Sequence, residues 1–263
     1  MVKSDLPVSD HTLQNLGLLS SNETNECLVA SRHLVPAVKT GTETSTAPVV
    51  EAAGVTVSER NSDRVYLCFK RFLDVTVAVL VLAAMLPLLA LIAIALVIDN
   101  PGPILFSQMR VGRNNKLFRF YKFRSMVKNA PALQAQLKAE NEAAGPIFKM
   151  RRDPRVTRVG RILRKFSLDE LPQLFNVLRG EMSLVGPRPH LPSEVAQYAD
   201  HQLRRLTVQP GLVCLREVSG RSELTFERWI ELDLHYISCR SLRTDLSILI
   251  RLLPAVICGH GAY

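Results

Sequence analysis

Residues 75–98 read VTVAVLVLAAMLPLLALIAIALVI, a run of 24 positions without a charge, 15 of them Leu, Ile or Val. At roughly −0.3 to −0.6 kcal/mol per such residue for membrane insertion, those side chains supply about −5 to −9 kcal/mol, enough to outweigh one Thr and one Pro. As an ideal helix the run would measure about 36 Å against a hydrocarbon core of about 30 Å. A soluble core seldom contains a helix this long and this uniformly apolar, so the segment belongs in a membrane. Whether it crosses is a separate question. Pro87 sits at the middle of the run, where it removes one backbone hydrogen bond and bends the helix. Arg60, Arg64, Lys70 and Arg71 precede the run, and Arg110, Arg113, Lys116 and Arg119 follow it. Positive charge is retained on the cytoplasmic side, so two basic flanks favour a helix that enters, kinks at Pro87 and returns; a straight span remains the alternative.

The basicity is concentrated. The chain of 263 residues carries a net charge of +9, yet residues 1–60 hold 4 basic and 7 acidic side chains while 101–165 hold 16 and 3. Such a block requires an anionic partner: phosphate, nucleic acid or lipid headgroup. The five cysteines (Cys27, Cys68, Cys214, Cys239 and Cys258) are scattered with no C-x-x-C pair, a pattern of reduced thiols rather than of a disulfide frame or zinc site. Met1–Asp10 has neither a basic nor an apolar stretch, so no cleavable leader is expected.

Residues 1–62 are polar and aperiodic, a disordered tail with at most a weak helix near Leu13–Leu19. After the apolar run, Asp99-Asn100-Pro101-Gly102-Pro103 is a turn by composition. Ile104–Arg110 and Leu117–Arg124 predict a hairpin whose turn, Gly112–Lys116, has Asn114-Asn115 to take left-handed angles. Ala132–Ala144 is a polar helix or loop, and Asp153–Phe166 a basic helix. Leu171, Leu174, Phe175 and Leu178 predict a short amphipathic helix stopped by Gly180. Met182–His190 reads as an irregular loop, Phe226–Tyr236 and Leu242–Leu253 as helices. The expected fold class is α+β: a membrane helix and a small catalytic domain of helices with a short β-hairpin.

No phosphate-binding glycine loop, H-E-x-x-H or D-x-D is present. Two adjacent carboxylates, in Ser167-Leu168-Asp169-Glu170-Leu171-Pro172-Gln173, directly follow a run of arginines. Ser167 and Glu170 have the spacing of a capping box, with Pro172 suited to a helix start. The functional reading places a carboxylate nucleophile beside a clamped polyanion, where attack on phosphorus forms an acyl phosphate and divides one transfer into two.

At this point the sequence resembles the bacterial sugar transferases, the monotopic phosphoglycosyl transferases, and above all their exopolysaccharide type. The resemblance rests on Lys70-Arg71-Phe72-Leu73-Asp74, on PGPILFSQMRVGRNNKLFRFYKFRSM at 101–126, on DPRVTRVGRILRKFSLDELPQLFNVLRGEMSLVGPRP at 153–189 and on QPGLVCLREVSGRSELTFERWIELDLHYI at 209–237. It covers 66–263, comprising a membrane helix at 70–99 and a catalytic portion at 100–263. The family implies transfer of a hexose-1-phosphate from a UDP-sugar (UDP-glucose or UDP-galactose in the nearest types) to undecaprenyl phosphate. UMP is released at the cytoplasmic face of the bacterial inner membrane, among its lipids. Carried over by position, Asp169 is the nucleophile and Glu170 its partner, with Mg2+ held at Asp169 and Glu170; Lys122, Arg124, Arg164, Arg188 and Arg221 bind phosphate or nucleotide. The chain departs from its relatives at Cys214, Arg216 and Glu217, where glycine, an aromatic and glutamine are common, and at Leu86, where some carry serine.

Two other readings use the same basic block. A membrane-tethered protein could grip anionic lipid or nucleic acid, but such a binder gains nothing from Asp169-Glu170 inside its patch, and no nucleic-acid module is recognisable. An inactive scaffold in polysaccharide assembly is the third.

Overall fold

The structure, a computed structural model, describes residues 61–258 apart from 143–144, 149 and 220–223. The tail expected at 1–62 lies outside the described residues except for its last two positions, and Arg221 lies outside them too.

Helix α1, Asn61–Asp99, is continuous through Pro87. It is the one helix among the described residues long and apolar enough to cross a membrane: its most apolar stretch has a mean hydropathy of 3.0 and only 11% of that stretch is buried. Leu80, Leu86, Leu91, Ile94 and Ile98 are exposed, a contiguous apolar surface that water does not favour. The opposite side packs. Val77, Ala78, Val81 and Leu82 join the main core, and Leu88, Leu89, Ile92 and Leu96 join a second cluster with Phe123 and Leu163.

Five polar side chains fasten α1 to the rest of the chain. The Tyr66 hydroxyl donates to Asp245 Oδ2 at 3.0 Å. Lys70 Nζ lies 2.7 Å from Asp245 Oδ2. Arg71 donates to the carbonyls of Val177 and Leu178 at 2.5 and 2.9 Å. Asp74 Oδ1 accepts the Leu184 N–H at 3.0 Å, and Asp99 Oδ2 accepts the Val159 N–H at 3.2 Å. Lys70, Arg71 and Asp74 thus act as an anchor whose charges are satisfied by distant parts of the chain.

Strands β1 (Leu105–Val111) and β2 (Leu117–Phe123) form the expected antiparallel hairpin, with Leu105 opposite Phe123 and Val111 opposite Leu117. Asn114 and Asn115 take the left-handed angles, φ 54° and 60°, that asparagine tolerates. Helix α2 is Ala130–Gln136. Helix α3, Arg158–Lys165, is shorter than the Asp153–Phe166 expected. Thr157 caps it, accepting the Gly160 N–H at 3.0 Å, while Asp153 and Arg155 close on each other at 2.6 Å and Val156 bridges to Met126. A side-chain cap starts a helix where it sits, whatever the periodicity upstream.

Helix α4, Gln173–Arg179, ends at Gly180 with φ +76°, as its sequence implies. Asn176 is fully buried and ties α4 to the hairpin: its Nδ2 donates to Arg119 O at 2.7 Å and its Oδ1 accepts from Tyr121 N at 3.2 Å. The loop expected over Met182–His190 instead contains strand β3, Ser183–Val185. After α5 (Pro192–Val195) comes β4 (Gly211–Val213), which pairs with β3 in parallel, Ser183 with Gly211 and Val185 with Val213. Helices α6 (Leu215–Val218), α7 (Phe226–Cys239) and α8 (Leu242–Cys258) follow, α8 continuing past Pro254. Among the described residues the fold is a mixture of helices with two small two-stranded sheets.

Candidate active site

Helix α3 ends in a turn that requires Ser167 at φ 56°, ψ 19°. A left-handed serine is uncommon and marks a locally constrained backbone. The capping box read from Ser167 and Glu170 does not form: Ser167 makes no side-chain cap, and Leu168–Glu170 is a single 3-10 turn. That turn delivers Asp169 and Glu170 beside the end of β2.

Glu170 is held by two cations. Lys122 Nζ lies 2.7 Å from its Oε1, and Arg188 lies 2.7 Å from Oε1 through Nη2 and 3.2 Å from Oε2 through Nη1. Burial pushes the Glu170 carboxyl up, but the Arg188 and Lys122 charges outweigh it and hold it well below the usual carboxylate range. The same carboxylate raises Arg188 despite burial. Asp169 is only 5% exposed, and Lys122 Nζ stands 3.5 Å from its Oδ2. The two acids therefore differ: Glu170 is committed to a bidentate clamp, while Asp169 keeps lone pairs available beside a bridging ammonium.

Arg188 is placed by backbone. Gly186 N donates to Val213 O and Gly211 N to Pro187 O, both at 2.9 Å. A Cβ on Gly186 would sit 2.5 Å from Gln209 O, so glycine is required there. Arg205 adds a third hold: its Nη2 donates to Arg188 O at 3.1 Å and pairs with Asp233 at 2.5 Å, both side chains buried.

Arg164 points inward, donating from Nε to Ser125 Oγ at 2.9 Å. Burial lowers its pKa, opposed by the nearby charges of Asp169 and Asp153. Arg124 behaves differently from the sequence expectation. It lies just past β2 and donates to Asn100 O, with no hydrogen bond or ion pair to either carboxylate among the described residues. The structure thus brings Asp169, Glu170, Lys122 and Arg188 together, with Arg164 facing Asp169 electrostatically and Arg124 turned to the end of α1.

Residues that sequence reasoning missed include Arg110, Ser125 and Arg205. Arg110 donates to Pro189 O at 3.2 Å and lies 3.5 Å from Glu194; burial and the adjoining Arg188 pull it down to about 10 against the pull of Glu194 and Glu170. Nothing in local periodicity distinguishes these from other arginines and serines. Glu217, one of the unusual positions, accepts from Cys214 N and Sγ at 2.9 and 2.6 Å, and its charge acts on Arg188. Among the described residues no group of three or more His, Cys, Asp or Glu side chains gathers as a metal cage. The hard carboxylate oxygens of Asp169 are of the kind Mg2+ takes in sites completed by substrate phosphate, whereas Glu170 would have to exchange Lys122 or Arg188 for the ion.

Residues 65–259 match the bacterial sugar transferase family. The chain is 43% identical over 198 residues to the galactosyl transferase CpsE of Streptococcus agalactiae, covering 75% of this chain and 44% of that protein. It is 42% identical over 205 residues to an undecaprenyl-phosphate glucose phosphotransferase of Komagataeibacter xylinus, covering 74% and 37%. With the exopolysaccharide production protein ExoY of Sinorhizobium fredii it shares 39% over 198 residues, covering 74% and 88%. The chain belongs to the bacterial sugar transferase family. It spans less than half of the first two relatives and most of the third.

Proposed function

We propose that this chain transfers a hexose-1-phosphate from a UDP-sugar to undecaprenyl phosphate, the priming step of exopolysaccharide synthesis. The observation that carries the reading is the unequal pair: Glu170 pinned by Lys122 and Arg188, and Asp169 beside it with its carboxylate available. An Asp169 oxygen attacks the phosphorus that bears the sugar, the bond to the second phosphate breaks, and UMP leaves with the electron pair. The oxygen of undecaprenyl phosphate then attacks the same phosphorus and expels Asp169. Lys122, Arg164 and Arg188 balance the charge of the diphosphate as it enters. Mg2+ at Asp169 and Glu170 would supply further charge neutralisation. Galactose and glucose are the sugars in the names of the first two relatives, and either fits this reading.

In this reading the chain sits at the inner membrane with its catalytic part facing the cytoplasm, where sugar nucleotides are made. The contacts of α1 support a re-entrant helix. Lys70, Arg71 and Asp74 at one end and Asp99 at the other all bond to the same body, and 25 residues separate Asp74 from Asp99, about 38 Å of helix. A straight span would put those two sets of polar contacts on opposite sides of the bilayer. Purified protein with undecaprenyl phosphate, Mg2+ and a panel of UDP-sugars should release UMP, and Asp169→Asn should not. Full release from that variant would overturn the mechanism.

A further inference from the structure

A shallow, open groove of about 860 Å³ lies between Ile98–Pro101 at the end of α1, Val127–Asn129 after β2, and Val156–Arg158 with Arg161 at the start of α3. Its charge is one-sided. Lys128, Arg158 and Arg161 line it, all three exposed, and none makes a side-chain hydrogen bond or ion pair with another described residue. The single acid on its wall, Asp99, is already used by the Val159 N–H. Thr157 takes the Gly160 N–H, so the attraction here comes from the side-chain cations rather than from the helix terminus.

Behind the Asn100–Pro101 wall lies a fourth cation. Arg124 is 6% exposed and donates through Nη2 to Asn100 O, leaving Nε and Nη1 without partners. A Cβ on Gly102 would collide with both Arg124 Nη1 and Lys128 Cε, so this buried guanidinium and the groove lysine converge on one glycine. Buried guanidinium nitrogens without acceptors are costly, and an anion is what they lack.

The groove's position names the kind of anion. Ile98, 77% exposed, closes the apolar surface of α1, and Ile162 on α3 and Leu105 on β1 are also exposed. The cations begin where that surface ends, at the depth of lipid headgroups. The geometry points to a binding groove for the phosphate of an anionic phospholipid, whose acyl chains lie along the exposed residues of α1. The inference rests on the membrane placement proposed above and is independent of the transfer chemistry. Arg158 and Arg161, which the sequence puts in one series with Arg164, then act apart from it. Arg164 serves the carboxylates, and the other two serve the bilayer.

The test is lipid retention by the full-length protein. It is reconstituted into nanodiscs of phosphatidylcholine and phosphatidylglycerol, released into mild detergent and weighed by native mass spectrometry. The wild type should keep one phosphatidylglycerol in preference to phosphatidylcholine. The combined variant Lys128→Gln, Arg158→Gln, Arg161→Gln should lose that preference about a hundredfold, since each cation near an anionic surface contributes about 1 kcal/mol. Removing three charges elsewhere, Lys116→Gln, Arg119→Gln and Arg204→Gln, should leave it intact. Arg161→Glu alone should weaken retention if the combined variant does not fold. Undiminished retention by the groove variants overturns the proposal, as does displacement of the lipid by millimolar inorganic phosphate, which would make this a site for free anions. No sugar nucleotide is present, so failure here leaves the transferase reading standing, and loss of UMP release leaves this one standing.

Discussion

Removing Asp233 should cost more stability than any other single side-chain truncation in the buried polar network behind Arg188. The Arg205–Asp233 pair is buried, 4% and 1% exposed, at 2.5 Å. Burial raises the Asp233 pKa to about 6 even with Arg205 beside it, a rise worth about 3 kcal/mol. The ionised pair is therefore maintained at neutral pH at a cost, as buried ion pairs generally are. Asp233→Ala strands a guanidinium that cannot give up its proton, and a loss of about 3–5 kcal/mol follows. Arg205→Leu should cost less, because the remaining carboxyl takes up a proton. Replacing both by leucine should recover most of the loss. For a domain of this size 1 kcal/mol moves the melting temperature by about 2–4 °C, so Asp233→Ala should melt about 6–20 °C lower. Thermal unfolding followed by circular dichroism in one fixed detergent provides the four corners of the cycle. A shift below about 2 °C for Asp233→Ala, or losses that simply add in the double variant, would refute the reasoning. The pH dependence has a definite sign. Because the folded pKa of Asp233 is raised above its ordinary 3.8, its contribution to stability is fully present below about pH 4 and is lost as pH rises through about 6.

Other outcomes follow from the same geometry. Asp169→Asn should abolish UMP release while leaving the melting temperature within about 2 °C, because only one 3.5 Å contact is lost; a fall in stability with activity retained would contradict the assigned role. Gly160→Ala should destabilise by about 1–3 kcal/mol and depress activity through the Arg164–Ser125 bond, since its Cβ would overlap Ser125 O; unchanged unfolding would show that α3 is free to move. Transfer should be ping-pong, and intersecting rather than parallel initial-rate lines would rule out release of UMP before the lipid acceptor binds. For topology, single cysteines at Ser62 and Asn114 in a cysteine-free chain should both resist a membrane-impermeant reagent on intact cells. Labelling at position 62 alone would establish a straight span, and Pro87→Leu tests whether the proline decides between them.

Local structure was legible where the cause is local. The apolar run at 75–98, the Asn114-Asn115 turn and the Gly180 helix stop each act within a few residues, and the helix, the turn and the stop all form where the residues predict them. The family signature reached further, pairing Asp169-Glu170 with Lys122 and Arg188. Two local expectations failed for one reason, competition from a distant partner. Ser167 and Glu170 have the spacing of a cap, but Glu170 is taken by Lys122, 48 residues away, and by Arg188, 18 residues away, and charge-assisted bonds outweigh a neutral cap. Met182–His190 has too few residues to announce a strand, and β3 exists because Gly211–Val213 lies alongside it; parallel pairing joins segments far apart in the chain and leaves no turn signal between them.

The sequence by itself determined that a long apolar segment precedes a strongly basic region, because hydrophobicity and charge are properties of residues wherever they sit. Only the tertiary structure decided which arginine serves which purpose. Arg124, Arg158, Arg161, Arg164, Arg188 and Arg205 are chemically identical, and their surroundings alone separate them: a carbonyl at the end of α1, the edge of a groove, the Ser125 hydroxyl, the Glu170 carboxylate and a buried aspartate. Charge is carried by the residue, but its energy depends on burial and on the partner within a few ångströms, and those arise only when the chain is folded.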